Sequence, residues 1–284
     1  MAAPPSILEL DNRPQSWGSL LRELWRYRDV AYELSRTDFR ARYKQASFGI
    51  LWALAVPLLQ AAVIAVVFAR IAHLGGRDFN YPVYVISGVL AWNYFAMTFG
   101  TASAAIVDGA DLTGKVWFPR LILPAIPTAT NAVGFLASIV ALVIITPLLG
   151  VGLGPQLLWL LPACALVLLF TLSLSALIAV LHVYLRDLRY MVQAGLLVWF
   201  YATPIIYPAR VVHLPGGLFD FNPVTGMVDL FRLATLGPAA TQAAMGGEGD
   251  ITRAVIVSVV TVVVITALAL ELYRRHDRLV SDLM

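Results

Sequence analysis

The chain has 284 residues, of which 60% are hydrophobic and only 13% charged, and its mean hydropathy is +0.78. A soluble domain of this length carries about a quarter charged residues, so the composition excludes a soluble enzyme and indicates an all-α integral membrane protein. The formal net charge of +3 says little by itself, and no nucleic-acid partner is expected.

The opening residues, MAAPPSILELDNRPQ, lack a basic region leading into a short apolar core, so no cleaved signal peptide is expected. Trp17, Leu20, Leu21, Leu24, Ala31 and Leu34 then recur at helical spacing, with Arg22, Glu23, Arg26, Arg28 and Asp29 on much of the other face. This pattern predicts an amphipathic helix in the inner membrane interface, within a cytoplasmic segment 1–47. An ordinary solvated amphipathic helix is the alternative. Arg36, Arg40, Arg42 and Lys44 follow, and residues 48–69 are uncharged. About 20 apolar residues in a helix match the hydrocarbon thickness of a bilayer, and a basic cluster before such a run stays on the cytoplasmic side. The first span is therefore entered from inside.

Residues 81–107 form the second expected span, and residues 121–185 run without Asp, Glu, Lys or Arg. That run is too long for one crossing, and the stretch PLLGVGLGP at 147–155 cuts it into spans over 121–147 and 156–185. A fifth span is expected over 190–209 and a sixth over 254–270, completing a transmembrane domain 48–270 before the cytoplasmic tail 271–284. With both termini inside, the inner segments hold fifteen of the 20 Lys and Arg, leaving Arg70, Arg77, Arg210, Arg232 and Arg253 outside. That bias supports six crossings.

The segment 210–253 is unlike a plain loop. Asn222-Pro223 reads as an N-cap followed by Pro at the first helical position. Val224, Met227, Val228, Phe231 and Ala234 continue as an apolar stripe that stops at Gly237-Pro238. Short re-entrant helices in the outer leaflet fit this pattern, and so does a helix lying on the outer surface. Tyr81, Tyr84 and Tyr207 near the outer span ends, and Trp52 near the inner end of the first, read as interfacial anchors.

No expected span contains an Asp, Glu, Lys or Arg. Ion-coupled transporters place ionisable groups at depth, and embedded hydrolases or transferases need an acid, base, nucleophile or metal set. His182 is the one span histidine and reads as a packed side chain, while the single cysteine, Cys164, excludes an intrachain disulfide. Gly109-Ala-Asp-Leu-Thr-Gly114-Lys115 matches the start of a phosphate-binding loop, but Val116 stands where the magnesium-ligating hydroxyl belongs and no strand precedes it. No catalytic, cofactor or metal residue is assigned, and the energy for uphill transport must come from elsewhere.

The stretches RARYKQASFGILWALAVPL (40–58), KVWFPRLILP (115–124), YLRDLRYMV (184–192), TPIIYP (203–208) and NPVTGMVDLFR (222–232) resemble, in this order, the membrane subunit of ABC-2-type polysaccharide exporters. That group exports O-antigen, capsule, teichoic acid or cell-wall galactan. The resemblance implies a homodimeric permease in the bacterial inner membrane, bound to two copies of a separate ATP-binding subunit that holds the ATP and Mg, and moving a lipid-linked polysaccharide outward. It implies a coupling element at 108–120, carrying Asp108, Asp111, Lys115 and Arg120, and a second contact at Arg186, Asp187 and Arg189. It implies an outer gate around Asn222, Pro223, Asp229 and Arg232. Two mid-span aromatic clusters, Trp92, Tyr94 and Phe95, and Trp199, Phe200 and Tyr201, are candidates to line the substrate path, because aromatic faces hold sugar rings by apolar contact. Interhelical packing is the alternative for each. The bias toward Arg, Ala and Val leans toward galactan. The rival functions are an ABC-2 permease for a small amphiphile or drug and a membrane-embedded glycan or lipid transferase, for which Asp108, Asp111, Asp220 and Asp229 are the acidic candidates.

Overall fold

A computed structural model describes residues 17–43, 51–70, 79–109, 118–185, 187–212, 215–246 and 249–276. Every regular element among them is helical: α1 (Trp17–Arg26), α2 (Arg28–Tyr43), α3 (Leu51–Arg70), α4 (Tyr81–Ala102), the single turn α5 (Ala105–Asp108), α6 (Ile122–Leu148), α7 (Leu160–Tyr184), α8 (Leu188–Ala202), α9 (Pro223–Leu236), α10 (Pro238–Met245) and α11 (Ile251–His276). Three short 3-10 turns, Pro155–Trp159, Ala209–Val211 and Pro215–Phe221, join them. Five helices are long and apolar enough to cross a membrane: α3, α4, α6, α7 with its preceding 3-10 turn, and α11. The chain is a multi-pass membrane protein.

The remaining uncharged run is interrupted. α8 has 15 residues and rises about 22 Å at 1.5 Å per residue. The expected span continued to residue 209. The helix stops instead at Ala202, because Pro204 offers no N–H and its ring disfavours a helical conformation at Thr203. The second expected span also breaks early. The Ser103 carbonyl meets His182 Nδ1 at 3.1 Å, and the chain turns at Ser103-Ala104 into α5. His182 is thus a buried packing residue tying α7 to the end of α4. The last helix is longer than its uncharged core, reaching His276 through Glu271 and Arg274, which pair at 2.7 Å.

α4 is the centre of the bundle, buried along most of its length and packed against α3, α6, α7 and α9. α9, expected either among the spans or on the surface, is enclosed by α4, α7 and α11. Gly226 makes the α9–α11 crossing possible. A Cβ there would fall on the Ala254 carbonyl, and Ser258 Oγ, one turn on, shares its one proton between the Pro223 and Ala254 carbonyls. At the other end of the bundle, Leu24, Tyr27, Ala31 and Leu34 of α1–α2 cover an apolar cluster that includes Ile106, Phe118, Ile122, Ala179 and Tyr273. Within the described residues the apolar face of α2 therefore rests on protein. Thr130 Oγ1 donating to the Ser35 carbonyl, and Arg42 Nη1 donating to Asn131 Oδ1 at 3.1 Å, fix α2 across α6.

Candidate functional site

The break after α8 lies at the α9 end of the bundle and exposes a run of backbone carbonyls. In a membrane such groups need internal partners. Pro204 O accepts from Arg232 Nη2 at 2.7 Å and from Tyr84 Oη at 3.0 Å. Ile205 O accepts from Arg232 Nη2 at 3.1 Å, Ile206 O from Tyr81 Oη at 2.6 Å, and Tyr207 O from Tyr84 Oη at 3.0 Å. Tyr84 has one hydroxyl proton, shared between two carbonyls. Four consecutive carbonyls are thereby held by two residues of α4 and one of α9. Tyr81 and Tyr84, expected as interfacial anchors, are 2% and 1% exposed and serve this turn.

Arg232 is also the charge partner of Asp229, with Nη1 to Oδ1 at 2.9 Å, and both residues are 1% exposed. Its guanidinium lies 3.5 Å from the centroid of the Tyr84 ring, where the ring face attracts a desolvated cation. The apolar runs themselves carry no charge, but α9 brings an ion pair into the core between them. Asp229 Oδ2 keeps no hydrogen-bond partner among the described residues. Beside this cluster, Asn222 caps α9 through Oδ1 to the Val224 N–H at 3.1 Å, and Pro223 begins the helix. The same Oδ1 accepts from Trp199 Nε1 at 3.0 Å, while Asn222 Nδ2 donates to Thr203 Oγ1 at 2.8 Å. The four residues assigned to an outer gate thus occupy one joint between the end of α8, the turn and α9.

The two aromatic groups meet. Trp92 lies 5.6 Å from Phe200 and 6.5 Å from Trp199, and Phe95 lies 5.4 Å from Trp199, centroid to centroid. Phe170 and Phe99 extend the cluster. Trp92 and Phe95 are buried in it, Trp199 and Phe200 are half-buried, and Tyr201 is 58% exposed. Tyr94 points the other way, stacking on Phe135 at 4.5 Å and donating to the Thr128 carbonyl. Tyr94 lines a laterally open groove of about 290 Å³ between α3, α4 and α6, with Trp52, Val56, Met97, Asn131 and Phe135.

At the α2 end, Asp108 and Arg189 join the two stretches assigned to coupling, with Oδ1 and Nη2 2.5 Å apart and both side chains about half exposed. Asp187 is exposed at the N-cap of α8, and Arg120 is half-buried with Nη1 lacking a hydrogen-bond partner among the described residues. Asp111, Lys115 and Arg186 lie outside the described residues. No cluster of His, Cys, Asp and Glu suited to a metal occurs among the described residues.

Sequence reasoning missed the turn clamp and one polar pair in mid-bundle, where Asn93 Nδ2 of α4 donates to Gln60 Oε1 of α3 at 3.1 Å. An amide inside each of two apolar runs was the available signal for the pair.

Residues 31–236 match the model of the ABC-2 type transporter family. The chain is 33% identical over 220 residues to the O-antigen export system permease protein RfbA of Myxococcus xanthus, covering 75% of this chain and 82% of that protein. Two O-antigen export system permease proteins RfbA of Klebsiella pneumoniae are each 29% identical, over 208 and 216 residues. These alignments cover 72% and 73% of this chain, and 79% and 82% of those proteins.

Proposed function

The chain belongs to the ABC-2 type transporter family, and on that premise we propose that it is the permease of an ATP-driven exporter that carries a lipid-linked polysaccharide of the O-antigen type out across the bacterial inner membrane. The observation that carries this reading is the similarity, over about three quarters of the chain, to permeases named for O-antigen export. The galactan preference rests on composition alone. In this reading two copies of the chain enclose the route, and two copies of a separate subunit bind ATP and Mg.

Six crossings with cytoplasmic termini follow if α8 and the turn 203–208 together make the fifth, and the positive-inside bias supports that topology. The burial of α9 among α4, α7 and α11 supports a helix that re-enters from outside. Half-exposed Asp108 and Arg189, paired at the α2 end, suit a surface through which a soluble motor pushes on the bundle. The route runs along α3, the edge of α4 and α8. Exposed positions there include Gln60, Gln193 and Tyr201, set among aliphatic side chains such as Val56, Leu59, Val63 and Val198, while the large side chains exposed on α11 are aliphatic throughout: Ile256, Val259, Val260, Val263, Val264 and Leu268.

Depletion of the protein in its host tests the reading. Complete lipid-linked polymer is expected to accumulate on the cytoplasmic leaflet, and unchanged surface glycan would overturn the proposal. The groove beside Tyr94 favours a second reading, export of a small amphiphile. Transport of labelled amphiphiles against labelled lipid-linked glycan by the reconstituted complex separates the two.

A further inference from the structure

Gln60 stands near the middle of α3, and Asn93 near the middle of α4. Each is about 14 Å along its helix from the α2 end at 1.5 Å per residue, so the two amides share one depth in the bundle. Their single hydrogen bond uses one donor of Asn93 and the carbonyl of Gln60. The Gln60 NH2, the second Asn93 N–H and the Asn93 carbonyl keep no partner among the described residues. Gln60 is exposed and Asn93 half-buried. Polar groups turned toward hydrocarbon cost free energy that nothing there returns. The large exposed side chains of α11 are aliphatic, and so are those beside Gln60 on α3, Val56, Leu59 and Val63, so the amide pair is a polar patch set into an otherwise apolar surface.

We propose that the Gln60–Asn93 pair is a contact station for the hydroxyl groups of the exported glycan, at mid-depth of the transport route. The proposal rests on the exporter reading above. A sugar hydroxyl both donates and accepts, and the pair presents free donors and a free acceptor within one small patch. Both amides are neutral, so they bind glycan without selecting for charge. Hydrogen bonds exchanged against water are individually weak, which lets a polymer release one contact as the next residue makes it. A patch of cations or acids at this depth would grip or repel instead.

The test places cysteines in a Cys164→Ser background of the full chain, assembled with its ATP-binding partner in membranes. Gln60→Cys and Asn93→Cys are compared with Val263→Cys, on the aliphatic face of α11. A charged, membrane-impermeant methanethiosulfonate is expected to label positions 60 and 93 at least tenfold faster than 263, and lipid-linked glycan is expected to slow that labelling. Labelling no faster than at 263 makes the pair a lipid-facing oddity and overturns the proposal. So does a Gln60→Cys disulfide between copies that replaces labelling, which makes it a dimer contact.

A double variant, Gln60→Leu with Asn93→Leu, is expected to lower glycan export about tenfold while assembly and basal ATPase activity stay at the wild-type level. Wild-type export by that variant refutes the station alone. Absence of glycan export by the wild-type complex refutes the exporter reading, and the labelling pattern still reports what the pair faces.

Discussion

Replacing Arg232 by methionine keeps most of the side-chain stem and removes the guanidinium, so the loss is read directly from its partners. Asp229 loses its buried counter-charge at 2.9 Å. The Pro204 carbonyl is left with only its share of the Tyr84 proton, and the Ile205 carbonyl with no side-chain donor. Breaking a buried ion pair from one side costs about 3–5 kcal/mol, chiefly because the other charge stays behind unpaired. Even at about 2–4 °C per kcal/mol, the apparent melting temperature of the purified permease falls by on the order of ten degrees. Adding Asp229→Leu removes the stranded carboxylate and leaves only the uncapped carbonyls. The double variant is therefore expected to regain about 2 kcal/mol over the single one, because the unpaired buried charge carries much of the single variant's cost. Scanning fluorimetry in detergent measures both. Arg232→Met melting within about 2 °C of wild type refutes the clamp. A double variant no more stable than the single one refutes the assignment of the cost to Asp229.

Gly226→Ala drives a methyl group into the Ala254 carbonyl, and overpacking of this kind costs about 1–3 kcal/mol; a lowered melting temperature with wild-type export at permissive temperature is expected. Asp108→Arg is expected to leave stability unchanged, since exposed pairs contribute about 0–1 kcal/mol, yet to weaken stimulation of the partner's ATPase activity, and Asp108→Arg with Arg189→Asp is expected to restore it. Trp199→Phe keeps the aromatic contact with Phe95 but removes the Nε1 bond to Asn222. That variant is expected to assemble normally and melt about 1 kcal/mol less stably, and Trp199→Ala to lose more because it also opens a cavity.

Sequence alone located the apolar runs because length and absence of charge are local properties. The helices over 122–148 and 160–184 begin and end within a few residues of where charge and glycine punctuation place them. The Asn222-Pro223 start of α9 was legible for the same reason, since a cap and its proline are neighbours. The break at Ala202 was written in Pro204, but an uncharged run to residue 209 reads as one span when only charge is counted. The partners of that break were not legible. Tyr81, Tyr84 and Arg232 reach the turn across more than 100 residues of chain in two cases and 28 in the third. A tyrosine near the end of an apolar run looks the same whether it meets headgroups or a stranded carbonyl. The aromatic groups were found, but which of them keep free surface depends on how α4 and α8 face one another.

The polar bonds divide the molecule into parts held differently. The turn, α4 and α9 are tied by the Arg232, Tyr84 and Tyr81 bonds, and α9 packs so closely on α11 at Gly226 that a Cβ there would meet the Ala254 carbonyl. α8 contacts only α4 and α7 to any extent, and polar contacts anchor both its ends: Arg189 with Asp108 at one, and at the other Asn222 with Trp199 Nε1, Thr203 Oγ1 and the Ala202 carbonyl. A push delivered at Asp108 and Arg189 therefore meets a short helix whose far end terminates on a joint of buried hydrogen bonds. Displacing that helix requires either breaking the Asn222 bonds to Trp199, Ala202 and Thr203 or carrying α9 with it. Because α9 is tied to α4 and packed on α11, the Asn222 bonds are the link that must give, and Trp199 carries the one that a side-chain substitution within α8 removes. The Asp108–Arg189 and Trp199 variants should consequently interact in export more than in stability, and purely additive effects on export would show that motion does not pass along α8.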